Sequence, residues 1–169
     1  PVLRALLLVW IAQTIWLTFS SVLRLDLYVD AYGLTRLRVA AGIWMALVLV
    51  GLGMILVQIT RARPNTWLLR RVGLLGAAVL YACCFVSFDA VIARYNLTSD
   101  VKPDWFYLCT YLGEAAVPVL LAADPQGCNY QHKAGIPRVS TPRDWREWGF
   151  RNARVRHSLA EMTETATRP

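Results

Sequence analysis

Hydrophobic positions in the first 92 residues fall in long unbroken runs, without the spacing of an amphipathic helix or strand. Val39 to Ile59, VAAGIWMALVLVGLGMILVQI, is twenty-one residues with no ionisable side chain. As a helix it is about 30 Å long, the hydrocarbon thickness of a bilayer. Two similar runs flank it: Val2 to Val22, where Arg4 is the only charge, and Val72 to Phe88, which has none. The pattern predicts an all-α, integral membrane fold, with transmembrane helices over about residues 2–22, 39–60 and 72–88 inside a transmembrane domain of residues 1–92. Val2 to Val22 is too long for the apolar part of a signal peptide, and SSVLRL follows it where a small-x-small exit would stand, so it reads as a retained span. The chain begins with Pro1 and its first run starts at once. The expectation is therefore the C-terminal portion of a longer multi-pass protein, partnered by the lipid bilayer and by upstream transmembrane helices or further copies of itself.

The joints between the runs carry turn chemistry. LRLDLYVDAY, residues 23–32, has polar residues at 24, 26 and 30 and apolar ones at 23, 27, 28 and 31, the pattern of a short helix lying in the interface. Gly33 suits the left-handed end of that helix, and Thr35 suits the N-cap of the second span. Arg63-Pro64-Asn65 breaks the chain after the second span and makes the second and third spans an antiparallel hairpin. Gly42 with Ala46, and Gly73 with Ala77, have small-xxx-small spacing that would let those two helices approach closely. Trp67, beside the loop arginines, is the best interfacial anchor.

Past the third span the sequence predicts an extramembrane or interfacial helical tail over residues 93–162. The third helix is expected to run on through FDAVIARYNL until Lys102-Pro103. Asp104 then caps WFYLCTYL, Gly113 ends it, Pro118 opens PVLLAA, and Asp124-Pro125 closes it. QGCNYQHKAGIPRVSTP reads as loop. From Thr141-Pro142 the helical period returns, with Trp145, Trp148, Asn152, Val155, Leu159 and Met162 on one stripe ringed by Arg143, Arg146, Arg151, Arg154 and Arg156. That composition fits equally a short amphipathic helix on an anionic lipid surface and a helix packed on its own domain with a solvated basic face. Residues 163–169, TETATRP, are expected to be disordered.

The net charge of +7 would suggest a nucleic-acid partner in a soluble chain, but the positive-inside rule makes better use of it, and no nucleic acid is expected. TRARPNTWLLRR holds Arg61, Arg63, Arg70 and Arg71 and no acid. Loop 60–71 is therefore assigned to the cytoplasm, which puts the 23–38 joint and the C-terminal tail on the extracytoplasmic side. Cys83 and Cys84, inside the third span, read as packing residues. Cys109 and Cys128, in the tail, form a disulfide if their compartment is oxidising, or stay two free thiols. His132 and His157 stand 25 residues apart, no Cys-x-x-Cys occurs, and neither a metal nor a cofactor is expected. No nucleophile elbow, phosphate loop or spaced carboxylate pair is present, so the chain does not read as an enzyme. Nor does any ionisable residue stand at mid-depth in a span, which argues against a proton relay through these helices. The densest polar cluster is Asp89, Arg94, Tyr95 and Asn96 at the mouth of the third span. Tyr32, Arg36 and Arg38 are expected on the same side. Together they are the candidate ligand or lipid-headgroup site, set against a purely structural network.

In series, YVDAYGLTRLRV, FDAVIARYNL, YLCTYLGEAAVPVLL (Tyr107 to Leu121) and DWREWGFRNAR resemble bacterial multi-pass membrane proteins of domain-of-unknown-function family 4173 and its relative, family 4153. The resemblance covers about residues 20–156. It departs from the pattern at Gly149, where a polar residue such as Asn is expected. The likeness implies the C-terminal portion of a bacterial inner-membrane protein of uncharacterised function. The resulting expectation is a structural or ligand-sensing membrane module of a larger envelope protein. The alternative is part of a transporter or lipid-handling protein with a headgroup site at its outer interface.

Overall fold

A computed structural model describes residues 2–124, 128, 139–142 and 144–167. Every regular element among them is helical. The chain divides into two compact units, Pro1–Val86 and Ser87–Pro169.

The first unit contains α1 (Val2–Tyr32), α2 (Arg36–Thr60) and α3 (Asn65–Phe85), all three long and apolar enough to cross a membrane. α2 packs against both α1 and α3. Its turns are short, so neighbouring helices are antiparallel. At the first turn Gly33 adopts φ 76° and its N–H donates to Val29 O at 2.8 Å, while the Thr35 hydroxyl accepts from Arg38 N at 3.4 Å. This is the C-cap and N-cap pairing that YGLT predicts. At the second turn Arg63 N donates to Gln58 O at 3.0 Å and Ala62 takes φ 48°, the closure of a Schellman motif with alanine where glycine is usual. Gln58 Nε2 donates to Asn65 Oδ1 at 2.6 Å across the same turn.

Three expectations about this unit are corrected. No separate interfacial helix exists over residues 23–32, because α1 continues through them to Tyr32. A change of polarity at Leu23 alters the solvent a helix prefers but breaks none of its hydrogen bonds. Thirty-one residues make α1 about 46 Å long against about 30 Å of hydrocarbon. Its first turn is level with the last turn of α2, since Arg4 donates to Ile59 O and Thr60 O. The excess therefore stands at the Gly33 end, where Arg24, Asp26, Asp30, Arg36 and Arg38 sit. The third helix spans Asn65–Phe85, not 72–88, and stops at extended Val86 without running on. Finally, the glycines of the small-xxx-small pairs do not bring α2 and α3 together. A Cβ on Gly42 would meet Leu25 of α1 at 3.6 Å, and one on Gly73 would meet nothing within 4 Å.

The second unit contains α4 (Phe88–Thr98), α5 (Trp105–Thr110), a 3-10 turn Glu114–Ala116 leading into α6 (Val117–Ala123), a 3-10 turn Trp145–Glu147 and α7 (Phe150–Thr167). Here lies the core: Ile92, Ala93, Leu108, Cys109, Leu112, Ala116, Val117, Leu120, Cys128 and Val155 are buried. Asp104 caps α5 by accepting from Tyr107 N at 3.1 Å, and Pro118 sits in the first turn of α6. α7 begins at Phe150, later than Thr141-Pro142 suggests, because Trp148 is extended and Asp144 instead caps the short Trp145 turn. It also runs to Thr167, past the expected disorder at Thr163, whose hydroxyl bonds Leu159 O and Ala160 O within the helix. Most of the expected loop after Asp124, including His132, lies outside the described residues.

Candidate functional site

The seven residues read from the sequence divide between the units. Tyr32, Arg36 and Arg38 belong to the tip of the α1–α2 hairpin. Tyr32 stacks on Tyr28, centroids 6.0 Å apart, and the Arg38 guanidinium lies 5.8 Å from the Tyr32 ring while donating to the Gly33 carbonyl. Arg38 thus serves the turn, adding a hydrogen bond and a cation–π contact to the glycine closure. Tyr32 and Arg36 are exposed.

Asp89, Arg94, Tyr95 and Asn96 belong to α4 in the second unit. Asp89 sits in the first turn, where its charge complements the helix dipole, and its Oδ2 accepts from Gly113 N at 3.1 Å. This bond ties α4 to the turn before Glu114. Arg94 is exposed, Tyr95 borders on exposed, and Asn96 is buried at 8%. Among the described residues, no buried side-chain polar atom lacks a hydrogen-bond partner, so Asn96 is satisfied where it stands. In the second unit, Asp89 and Asn96 hold the fold and Arg94 and Tyr95 face outward.

Cys109 and Cys128 are joined by a disulfide whose two residues are 4% and 2% exposed. Cys83 and Cys84 of α3 are not disulfide-bonded. No group of three or more His, Cys, Asp or Glu side chains among the described residues is arranged to hold a metal ion.

Two features escape sequence reasoning. Glu114 accepts from Ser140 N and Oγ at 3.1 and 3.4 Å, Asn152 Nδ2 reaches Ser140 Oγ at 3.5 Å, and Arg156 Nη1 donates to Ser140 O at 3.2 Å. This latch pins a strip of backbone between the 3-10 turn and α7. Its bonded pairs lie 12 to 26 positions apart, with no periodic signal to link Glu114 and Ser140 to α7. The second is how the tail stripe divides. Val155 is buried at 7%, with Asn152, Leu159 and Met162 half-buried beside it, and α7 packs on α6 and the Glu114 turn. Trp145, Trp148 and Phe150, by contrast, are 78%, 58% and 57% exposed. Arg146 lies 5.5 Å from the Trp145 ring and Arg154 4.7 Å from that of Phe150.

A family model described as Domain of unknown function (DUF4153) matches residues 1–123. The chain belongs to the DUF4153 family. Of the two families the sequence resembles, this is the second. The DUF4153 match begins at the first residue, earlier than the resemblance suggests, and ends at the close of α6, so DWREWGFRNAR lies beyond it. No curated protein and no solved structure matches the chain.

Proposed function

We propose that this DUF4153 protein is a multi-pass module of a bacterial inner membrane, in which three membrane helices hold a disulfide-stapled helical domain on the extracytoplasmic side. Its role is structural or ligand-sensing within a larger envelope protein, not enzymatic. The buried Cys109–Cys128 bridge carries this reading. Disulfides persist in oxidising compartments and are rare in the cytosol. A second, independent signal agrees with it. Arg4 is held at the α2 end that also carries Arg61 and Arg63, and Arg70 and Arg71 follow in the second turn of α3. Arginine-rich loops stay cytoplasmic. A single crossing by α3 then separates that end from the disulfide.

Support for a structural or sensing role over transport comes from where the polar groups are engaged. Residues 39–59 hold no charge, and Arg4, the charge closest to the apolar interior of α1, is occupied by the carbonyls that end α2. Ionisable groups inside a span mark proton relays and ion pathways. Asp89 and Asn96 serve the second unit's own packing.

The test is topological. A reporter fused after Thr66 is expected to score cytoplasmic and one after Thr163 extracytoplasmic, and thiol-blocking of the protein from intact cells is expected to find Cys109 and Cys128 oxidised. The opposite reporter pattern, or free thiols at both positions, overturns the orientation and the reading that rests on it.

A further inference from the structure

We infer that the exposed aromatic and arginine face at the start of α7 docks on the headgroup layer of an anionic phospholipid bilayer. Three large aromatic side chains within six residues, Trp145 and Trp148 just before α7 and Phe150 at its start, are more than half exposed, whereas α7 buries Val155 against its own unit. Packing on the domain therefore uses one side of α7 and leaves these rings unused. Tryptophan beside arginine is the composition that settles at the headgroup level, with the rings in the acyl boundary and the guanidiniums on phosphate. Arg146 and Arg154 already lie over Trp145 and Phe150, so each cation and its ring would enter the interface as a pair.

Charge points the same way. From Asp144 to Arg156 the chain carries four arginines against two acids. The first turn of α7 has no acid and contains Arg151, whereas Glu161 and Glu164 lie toward its C-terminus. That distribution is the reverse of what the helix dipole favours, and it gathers positive charge beside the exposed rings, where an anionic surface would complement it. A membrane is also close at hand, because the second unit starts at Ser87, two residues after α3 ends at Phe85. The inference needs the apolar helices to cross a bilayer but does not depend on which side the second unit faces.

Full-length protein in nanodiscs, which expose both leaflets, provides the test. Amide exchange of the 144–154 segment is compared in phosphatidylcholine and in phosphatidylcholine with phosphatidylglycerol. Exchange is expected to slow severalfold in the anionic discs. Neutralising either cation, Arg146→Gln or Arg154→Gln, is expected to remove most of that preference, since one cation near an anionic surface is worth about fivefold. Trp145→Ala with Trp148→Ala should abolish it. Amides around Val155 and Leu120 report whether each variant is folded; all four substituted positions are exposed, so these amides should stay protected. Equal, fast exchange in both lipids overturns the proposal. Equal protection in both lipids and in detergent also overturns it, and assigns the face to packing within the protein or against a second copy.

Discussion

Two residues of the membrane unit occupy left-handed backbone, and they differ in what that costs. Gly33, φ 76°, adopts it freely, while Ala62, φ 48°, does so against its own Cβ. Gly33→Ala is expected to lower stability in detergent by about 1 kcal/mol or more, and Ala62→Gly to raise it by up to about 1 kcal/mol, both read from thermal unfolding. Equal effects of one sign would show that the loops do not hold these conformations. Gly33 was legible in the sequence because a glycine between two apolar runs, followed by Thr35, is a signal in itself. Ala62 was not, since nothing in TRARPN distinguishes it from its neighbours. Arg4 lies between these cases. Its place near a span end is plain from the sequence, but its partners are carbonyls 55 and 56 positions away, set by the register of a hairpin. There it satisfies two of the acceptors that every helix end leaves open.

Among the elements, the runs of apolar residues foretold the spanning helices, and their ends were harder to read. The expected break at Leu23 rested on polarity alone, and a helix keeps its hydrogen bonds as it leaves the membrane. The real break, at Val86 and Ser87, has neither glycine nor proline, and the Ser87 side chain makes no capping bond. Its cause is tertiary: Ile92, Ala93 and Asn96 of α4 are buried in the second unit, and Asp89 is bonded to Gly113. The start of α7 shows the same interplay. Gly149 O accepts from Ala153 N at 2.9 Å, which makes Gly149 the N-cap, the position where the sequence pattern leads one to expect Asn. An added Cβ there meets nothing within 4 Å. Gly149→Asn is expected to stabilise α7 by a few tenths of a kcal/mol, seen as roughly twofold slower exchange of the Arg151 and Asn152 amides. No slowing would mean that α7 frays from a different point.

At the scale of the whole chain, the two units are stabilised by different means. Ile11 is the one buried hydrophobic side chain among the described residues of the first, while the second encloses the rest of the core. The first unit must therefore draw its stability from lipid against α1, α2 and α3, together with the hydrogen bonds inside each helix. The second draws on burial and on a covalent closure between residues 19 positions apart. By the chain-entropy account, a loop of that length is worth about 3 kcal/mol. Replacing Cys109→Ser together with Cys128→Ser is thus expected to speed amide exchange in α4 and α6 by about two orders of magnitude, the equivalent of that loss. Amides of α1 and α2 in the same protein should exchange at their original rates, because no covalent tie or buried contact of theirs has changed. If α1 and α2 loosened to the same degree, the units would be a single cooperative structure, and stability would have to pass through Val86 and Ser87. If only the second unit loosens, the membrane helices fold without it, which is how an anchor that carries a separately stapled domain should behave.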